Sequence, residues 1–299
     1  MTARAWFRAA RPLAHANIAP PILLGVAFAH AMGFALDPVR LAVAFAFGVF
    51  DHLFIVFAND YADREADAHH DAPTLFSGGS RVIQDGLLTP AQLKRAAWVS
   101  AAGVMAVSTV GAVVIEAPFL PALGAAALVL LHAYSFAPLS LSYRGFGEVL
   151  QGLGVGVVLP LVGWASMTSR VADAPFEALA PLFLIAFASN ILTALPDVEA
   201  DRAAGKLSWP VRRGERTARR DALVLTGIGV LLATQVGPPL TVEWRVLMAA
   251  APLLSLFIAL RWINRADAAQ RDACLRFVTL VAGAATLLHL GWAGALMFA

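Results

Sequence analysis

The sequence has almost no cysteine and little charge, and both shortages exclude whole classes of protein. Cys274 is the single cysteine among 299 residues. One thiol cannot form an internal disulfide and fits no metal-ligand spacing. Charged residues make up 14% of the chain, whereas soluble proteins carry about a quarter. With 59% hydrophobic residues, the composition predicts a protein that resides in a membrane.

Apolar runs of about 20 residues recur along the chain, and each is long enough to cross roughly 30 Å of hydrocarbon as a helix. Lipid offers no hydrogen bonds to the backbone, so the spans should be α-helical. We predict an all-α polytopic membrane protein, a single domain over residues 1–299. Nine spans are predicted: 13–36, 39–61, 91–114, 118–137, 147–168, 176–196, 220–237, 243–263 and 272–298.

Two details refine the spans. The first is expected to be a retained helix and not a cleaved signal peptide, because Pro20 and Pro21 interrupt its apolar run. The glycine cluster "GLGVGVVLP" at 152–160 favours close helix packing in lipid.

Basic residues are distributed unevenly between the two ends of these spans. With the N-terminus in the cytoplasm, 19 of the 22 Lys and Arg residues face the cytoplasm, and only Arg40, Arg170 and Arg245 lie outside. The positive-inside rule therefore predicts a cytoplasmic N-terminus and, after nine spans, an outer C-terminus. We expect a bacterial inner-membrane protein whose basic residues attract anionic lipid, with no nucleic-acid partner.

Two acidic motifs follow the second and sixth predicted spans, which both run towards the cytoplasm. They are "NDYADREAD" at 59–67 and "DVEAD" at 197–201. If each helix continues, one-turn spacing places the acids of each motif on one face. Like charges at a helix C-terminus repel one another and the macrodipole, so a compensating cation is expected.

The number of oxygen ligands favours Mg²⁺, which bridges carboxylates to substrate phosphates. A solvated acidic rim is the alternative, but two motifs with matched spacing at one membrane face favour the metal. The predicted metal-binding and catalytic residues are Asp60, Asp63, Asp67, Asp197 and Asp201.

Neighbouring cations suit a phosphate ligand. The turn "SGGSRVIQDG" at 77–86 offers backbone N–H groups, Ser80 and Arg81, and arginine binds phosphate oxygens in pairs. Arg202 and Lys206 follow the second motif. A diphosphate held at the mouth of a membrane bundle implies a lipid tail, and the expected reaction is ionisation of an allylic diphosphate. The resulting cation would be shielded by aromatic faces until an acceptor captures it.

At these residues the chain resembles the UbiA superfamily of intramembrane prenyltransferases. "NDYADREAD" matches the first Asp-rich motif of that superfamily, and "DVEADRAAGK" at 197–206 matches the second. Supporting matches are "ARP" at 10–12, "APPILLG" at 19–25, "GGSRVIQDGLL" at 78–88 and "YSFAPLSLSYRGFGEV" at 134–149. The last two look most like the menaquinone branch, which prenylates 1,4-dihydroxy-2-naphthoate.

The resemblance implies nine helices around a central cavity that opens sideways to lipid. It implies a prenyl diphosphate donor, an aromatic acceptor and Mg²⁺ held by the five acids. Residues carried over as substrate contacts are Asn59 beside the first motif, Arg81 and Lys206 at the diphosphate, Tyr134 and Arg144 at the acceptor or diphosphate, and Asn190 two turns before Asp197.

These motifs do not determine the identity of the acceptor or the type of reaction. Val56, Leu13 and Ala14 depart from the menaquinone-branch pattern. A terpene cyclase on the same fold, in which the cation closes on its own chain, is one alternative. An ion-coupled secondary transporter is another, although transporters place such acids near the membrane midplane.

The roles of some other polar residues are less certain from the sequence. Asp51 and His52 sit inside the second span, where ionisable residues are costly and often functional, but they could also form a buried pair. His69, His70 and Asp71 follow the first motif and are expected to cap it, since Mg²⁺ prefers oxygen to imidazole.

Overall fold

The computed structural model describes residues 2–69, 74, 78–265, 267 and 269–299, and the regular structure within these residues is helical throughout. The predicted all-α class is confirmed. The helices are α1 (Ala3–Ala10), α2 (Ala19–Ala31), α3 (Pro38–Ala62), α4 (Arg64–Ala68), α5 (Pro90–Val114), α6 (Leu120–Ser135), α7 (Gly147–Leu153), α8 (Leu159–Thr168), α9 (Leu179–Ala194), α10 (Val198–Ala203), α11 (Trp209–Arg213), α12 (Glu215–Ala233), α13 (Val242–Ala259) and α14 (Arg271–Phe298).

Fewer helices than predicted qualify as membrane spans. In the described part of the chain, six helical segments are long and apolar enough to cross a membrane, and a bent pair at the N-terminus makes a possible seventh. Helix α6 is apolar but shorter. The predicted count of nine crossings is therefore not confirmed. The six segments are α3, α5, Gly147–Thr168, Phe176–Ala194, α13 and α14.

The first predicted span, 13–36, is not one straight helix. A 3₁₀ segment, Pro12–Asn17, precedes α2, and the helical stretch Ala3–Asn17 is bent by 41° against α2. Pro20 and Pro21 lie in the first turn of α2. Proline has no N–H to donate and is tolerated there, so the α-helix starts at Ala19.

Glycines allow the central helices to approach closely. A side chain on Gly25 of α2 would overlap the carbonyl oxygen of Pro160, and one on Gly163 of α8 would overlap that of Ile22. Gly156, within the predicted glycine cluster, faces the backbone of Leu182 at the start of α9. The packing role predicted for the cluster is confirmed.

Residues Gly154–Val158 form a π-helical turn between α7 and α8. Such widened turns often occur at functional sites. Here Gly154 and Val155 lie on the wall of the cavity described below.

Large apolar side chains cover the outward faces of the long helices. On α5 and α13, Val113, Val246, Leu254 and Phe257 are each more than half exposed. Such a surface would be unfavourable in water and is expected against lipid tails.

Candidate active site

The two acid motifs adopt the same backbone arrangement. Asp63 has φ −87° and ψ 5° and joins α3 to the short helix α4, and Asp197 has φ −95° and ψ 0° just before the short helix α10. One turn later, Asp67 donates its backbone N–H to Asp63, and Asp201 donates to Asp197. The matched spacing in the sequence therefore corresponds to one local structure formed twice.

The expectation that each helix continues through its motif is wrong. Both long helices break, so Asp60 and Asp63 lie at the end of α3 while Asp67 belongs to α4. Asp197 and Asp201 lie at the beginning and inside of α10. The repulsion from a helix C-terminus therefore applies only to the first pair, and the breaks instead turn the acids of both motifs towards one cavity.

Lys206 connects the two motifs. Its Nζ lies 3.1 Å from Oδ2 of Asp63 and 3.7 Å from Oδ1 of Asp201. Burial alone would lower the pKa of Lys206, but the two carboxylates outweigh it and hold that pKa well above its usual value. The predicted diphosphate contact is thus a permanently charged ammonium between the motifs.

Burial and mutual proximity disfavour the charged form of the carboxyl groups in both motifs. Burial, with Asp63 and Asp60 nearby, raises the pKa of Asp67 to about 8. Burial also raises the pKa of Asp201 to about 6, against the opposing effect of Lys206. Oδ2 of Asp201 is buried and has no hydrogen-bond partner in the structure. Both observations describe a site that would be stabilised by additional positive charge.

The turn at residues 78–81 forms hydrogen bonds with both acid motifs. The backbone N–H of Gly78 donates to Oδ1 of Asp197 at 3.1 Å, and that of Ser80 donates to Asp60 at 3.2 Å. Gly79 has φ +62°, and a side chain on it would overlap Oδ2 of Asp67. The backbone N–H groups of Gly78 and Ser80, expected to be exposed for phosphate, are directed at the carboxylates.

Most of the predicted site residues line one cavity of about 240 Å³. Its polar end is formed by the acids, and the wall beyond them includes Ile55, Leu131, Val155 and Leu159. A polar end and a long apolar wall suit an amphiphilic ligand. Predicted residues on the lining are Asn59, Asp60, Asp63, Asp67, Tyr134, Asn190, Asp197, Asp201 and Lys206.

Four predicted substrate contacts lie off the lining. Ser80 and Arg81 sit in the turn above the acids, where Arg81 donates to the carbonyl of Asp67 at 2.9 Å. Arg144 is exposed and donates to the carbonyl of Pro138. Arg202 is exposed on α10. As positioned here, the last two do not reach the cavity.

Two charged or polar groups beside the acids were not predicted from the sequence. Arg11, assigned only to positive-inside topology, lines the cavity with its Nη1 3.8 Å from Oδ1 of Asp60. Tyr143 lies under Lys206 and hydrogen-bonds to Asp63. Burial and Asp63 raise the pKa of Tyr143, so its phenol remains a donor. The quoted stretches "ARP" and "SYRGFGE" contained both residues.

A polar network fixes the middle of the cavity wall. Asn190 donates to the hydroxyl of Tyr134 at 3.3 Å and to Oε1 of Gln151 at 2.8 Å. Ser135 donates to the side-chain oxygen of Asn59 at 2.9 Å. The predicted residues Tyr134 and Asn190 therefore act together, with Gln151 as a partner that the sequence did not signal.

Glu148 is a further residue on the lining that the sequence did not predict. It is buried, accepts the backbone N–H of Trp209 at 2.8 Å and pairs with Arg212 at 3.3 Å. These contacts anchor α11 to the start of α7. Glu148 therefore holds the segment after Lys206 in place.

The sequence left the roles of five residues undecided: Asp51, His52, His69, His70 and Asp71. Asp51 and His52 are both buried and both line the cavity. His69 hydrogen-bonds through Nδ1 to the carbonyl of Glu65, as expected for a cap. His70 and Asp71 lie outside the described residues. Within the described residues, no three His, Cys, Asp or Glu side chains form a ready-made metal site.

The fold and the cavity define a class of protein. It is an all-α integral membrane protein with an acidic site at one end of an apolar cavity. The model of the UbiA prenyltransferase family matches residues 18–283. The chain belongs to that family, and it is a prenyltransferase.

Two individual relatives and one solved structure are 18–33% identical to this chain. A 1,4-dihydroxy-2-naphthoate octaprenyltransferase of Mycobacterium leprae (strain TN) is 27% identical over 244 residues, 75% of each chain. A digeranylgeranylglyceryl phosphate synthase of Methanopyrus kandleri is 33% identical over 269 residues, 85% of this chain and 86% of that one. Among solved structures, a UbiA homolog from Archaeoglobus fulgidus bound to DMAPP and Mg²⁺ has a TM-score of 0.70 at 18% identity, with 98% of both chains covered.

Proposed function

We propose that this enzyme transfers a prenyl chain from an allylic prenyl diphosphate to an aromatic acceptor within the membrane, with Mg²⁺ as cofactor. The observation that carries the proposal is the convergence of two acid motifs at the polar end of one cavity, with Lys206 between Asp63 and Asp201. A diphosphate would occupy that end, and its prenyl chain the apolar wall.

The donor set fits Mg²⁺. Carboxylate oxygens are the ligands this ion prefers, and Oδ2 of Asp201 is buried without a hydrogen-bond partner. No three acids in the described part of the chain are grouped as a complete site, so water and diphosphate oxygens would supply the remaining ligands. When bound, Mg²⁺ would neutralise charge on the departing diphosphate. The Archaeoglobus homolog, solved with Mg²⁺, supports this assignment.

The chain's own residues would act on both sides of the reacting carbon. The C1–O bond of the donor breaks and its electron pair leaves with the diphosphate. Lys206 and Arg11 place positive charge where that negative charge develops. The aromatic ring then supplies the electron pair for a new carbon–carbon bond at C1. Its reacting carbon loses the group it carried, either a proton that passes to solvent or a carboxyl group that leaves as CO₂. The ring of Tyr134, held by Asn190, lines the cavity and would shield the allylic cation.

We take 1,4-dihydroxy-2-naphthoate as the best candidate acceptor, which would place the enzyme in quinone-type lipid synthesis. The motif resemblance and the Mycobacterium leprae relative support it. A glyceryl phosphate lipid is the second candidate, because the Methanopyrus relative, named for such a product, shares 33% identity.

The test is product analysis with purified enzyme. The protein in detergent is incubated with Mg²⁺, geranyl or longer prenyl diphosphates, and a panel of 1,4-dihydroxy-2-naphthoate, 4-hydroxybenzoate and geranylgeranylglyceryl phosphate. Mass spectrometry should detect a prenylated aromatic product. A prenylated glyceryl phosphate would replace the acceptor assignment, and a cyclic hydrocarbon formed from the donor alone would indicate a cyclase. No consumption of any diphosphate would contradict the proposal.

We also propose a bacterial inner-membrane location with the acid motifs in the cytoplasm. Arg40 and Arg170 flank the ends of α3 and α8 that lie opposite the acids, and Arg40 donates to the carbonyl of Ser166 at 2.9 Å. This arrangement supports the basic asymmetry of the sequence.

A further inference from the structure

Asp51 is the buried acid that the proposed chemistry leaves unused. It lies in the middle of α3 with 4% of its surface exposed, and it lines the cavity. Among the residues that the structure describes, none donates a hydrogen bond to its carboxyl group or pairs with it. A buried polar group without a partner is costly, and an ionisable one inside a span indicates function.

The position of Asp51 separates it from the diphosphate end. Asp51, Ile55, Asn59 and Asp63 follow one another at four-residue intervals along α3, and all four line the cavity. Eight residues of helix place Asp51 about 12 Å along the axis from Asn59. The carboxylates of the two motifs cluster beyond Asn59, so Asp51 is too far away to join them around one diphosphate.

The space between these points is where the two substrates must meet. A reacting acceptor atom has to lie about 3–3.5 Å from C1 of the donor, and C1 is bonded to the diphosphate. An acceptor ring placed there would extend from the acid end along α3, beside the prenyl chain that the same apolar wall would hold. Its far edge would then approach Asp51.

The chemistry at that edge favours a hydrogen-bond donor. His52, the neighbouring residue on the lining, has Nε2 at 2.7 Å from the carbonyl of Ala10. That oxygen can only accept, so Nε2 is the donor and Nδ1 of a neutral ring has a free lone pair. An ionised Asp51 presents only acceptor atoms, so it would bind a hydroxyl group of the acceptor, and a carboxylate on the same substrate would have to lie away from this edge.

We propose that Asp51 binds the aromatic acceptor by accepting a hydrogen bond from the ring hydroxyl group that lies farther from the reacting carbon. Asp51 thereby selects phenolic acceptors that carry such a hydroxyl. This inference rests on the proposed transfer to an aromatic acceptor.

The experiment compares acceptors on the wild-type enzyme and on Asp51→Asn. The probes are 1,4-dihydroxy-2-naphthoate and its two monomethyl ethers, each with geranyl diphosphate and Mg²⁺. Wild-type enzyme should disfavour one ether by about tenfold in kcat/KM, since the buried carboxyl group would lose its partner. Asp51→Asn should raise KM for the dihydroxy acceptor, reduce that discrimination and leave KM for the diphosphate within about twofold.

Asp173→Asn is the matched control, because Asp173 undergoes the same chemical change on an exposed loop. Asp51→Glu, which keeps the carboxylate, should retain part of the discrimination. If Asp51→Asn does not fold, the wild-type ether series and Asp51→Glu still decide. Equal use of all three acceptors by the wild-type enzyme would overturn the inference, as would equal KM increases for donor and acceptor. No transfer to any acceptor of the panel would instead refute the proposed function.

Discussion

Nζ of Lys206 lies 3.1 Å from Oδ2 of Asp63, although the two residues are 143 positions apart. The same ammonium is 3.7 Å from Asp201. One cation therefore holds the two acid motifs, which come from different helices, in a common site.

Replacing Lys206 by Met should disrupt this site. Removing one partner of a buried ion pair typically costs about 3–5 kcal/mol, and the leaving diphosphate would lose a positive group. We expect lower thermal stability and at least a tenfold rise in KM for the prenyl diphosphate. Lys94 is the chain's other lysine and is exposed, so Lys94→Met is the control. Equal kinetics for both variants would contradict the role of Lys206.

Chelation should abolish turnover. The acids and a diphosphate anion repel each other without a cation between them. Activity measured in excess EDTA is expected to vanish and to return with added Mg²⁺. Mg²⁺ and a prenyl diphosphate added together should raise the melting temperature more than either does alone. Full turnover in EDTA would rule out the metal.

Asp63→Asn and Asp197→Asn should each lower kcat by about a hundredfold or more, because each removes charge that acts on the leaving diphosphate. The double variant should cost far less than the product of the two effects, since residues that act as one unit are not additive. Arg216→Ala serves as the control, because Arg216 is exposed and its contact to Asn264 lies at the surface. Near-wild-type rates for both single variants, at matched expression, would mean that the acids are a solvated surface.

Gly79→Ala should impair the enzyme more than Gly86→Ala. Both glycines have positive φ, +62° and +66°, and an alanine is strained at either. Only at position 79 would the new Cβ also meet Asp67 and Asp60. We expect a large loss of turnover for Gly79→Ala and a small loss of stability, about 1–2 kcal/mol, for Gly86→Ala. Equal activities would argue against a close fit between the turn and the acids.

Membrane orientation can be tested with single introduced cysteines. Arg202→Cys should resist an impermeant thiol reagent in intact cells, and Arg170→Cys should react, because the two exposed residues are predicted on opposite sides. The native Cys274 is buried and should stay silent. Labelling of Arg202→Cys from outside would invert the topology.

The sequence by itself determined the membrane class, the helical fold and the acids at the centre of the site. Hydropathy and the spacing of Asp63–Asp67 and Asp197–Asp201 are local properties of the sequence. They do not depend on how the helices are arranged in space. Lys206 was predicted as one of the cations after the second motif, and the motif resemblance added Tyr134 and Asn190. All three line the cavity.

Only the tertiary structure decided which other groups face those acids. Arg11 approaches Asp60, whereas Arg144 and Arg202 point away, and no feature of their sequence neighbourhoods separates them. The same holds for Asp51, for which the sequence left open a functional role or a buried pair. Its place on the cavity wall depends on the rotation of α3 against its neighbours. Hydrophobic patterning fixes that a helix spans the membrane, but the packing of side chains against other helices sets which of its faces lines a site.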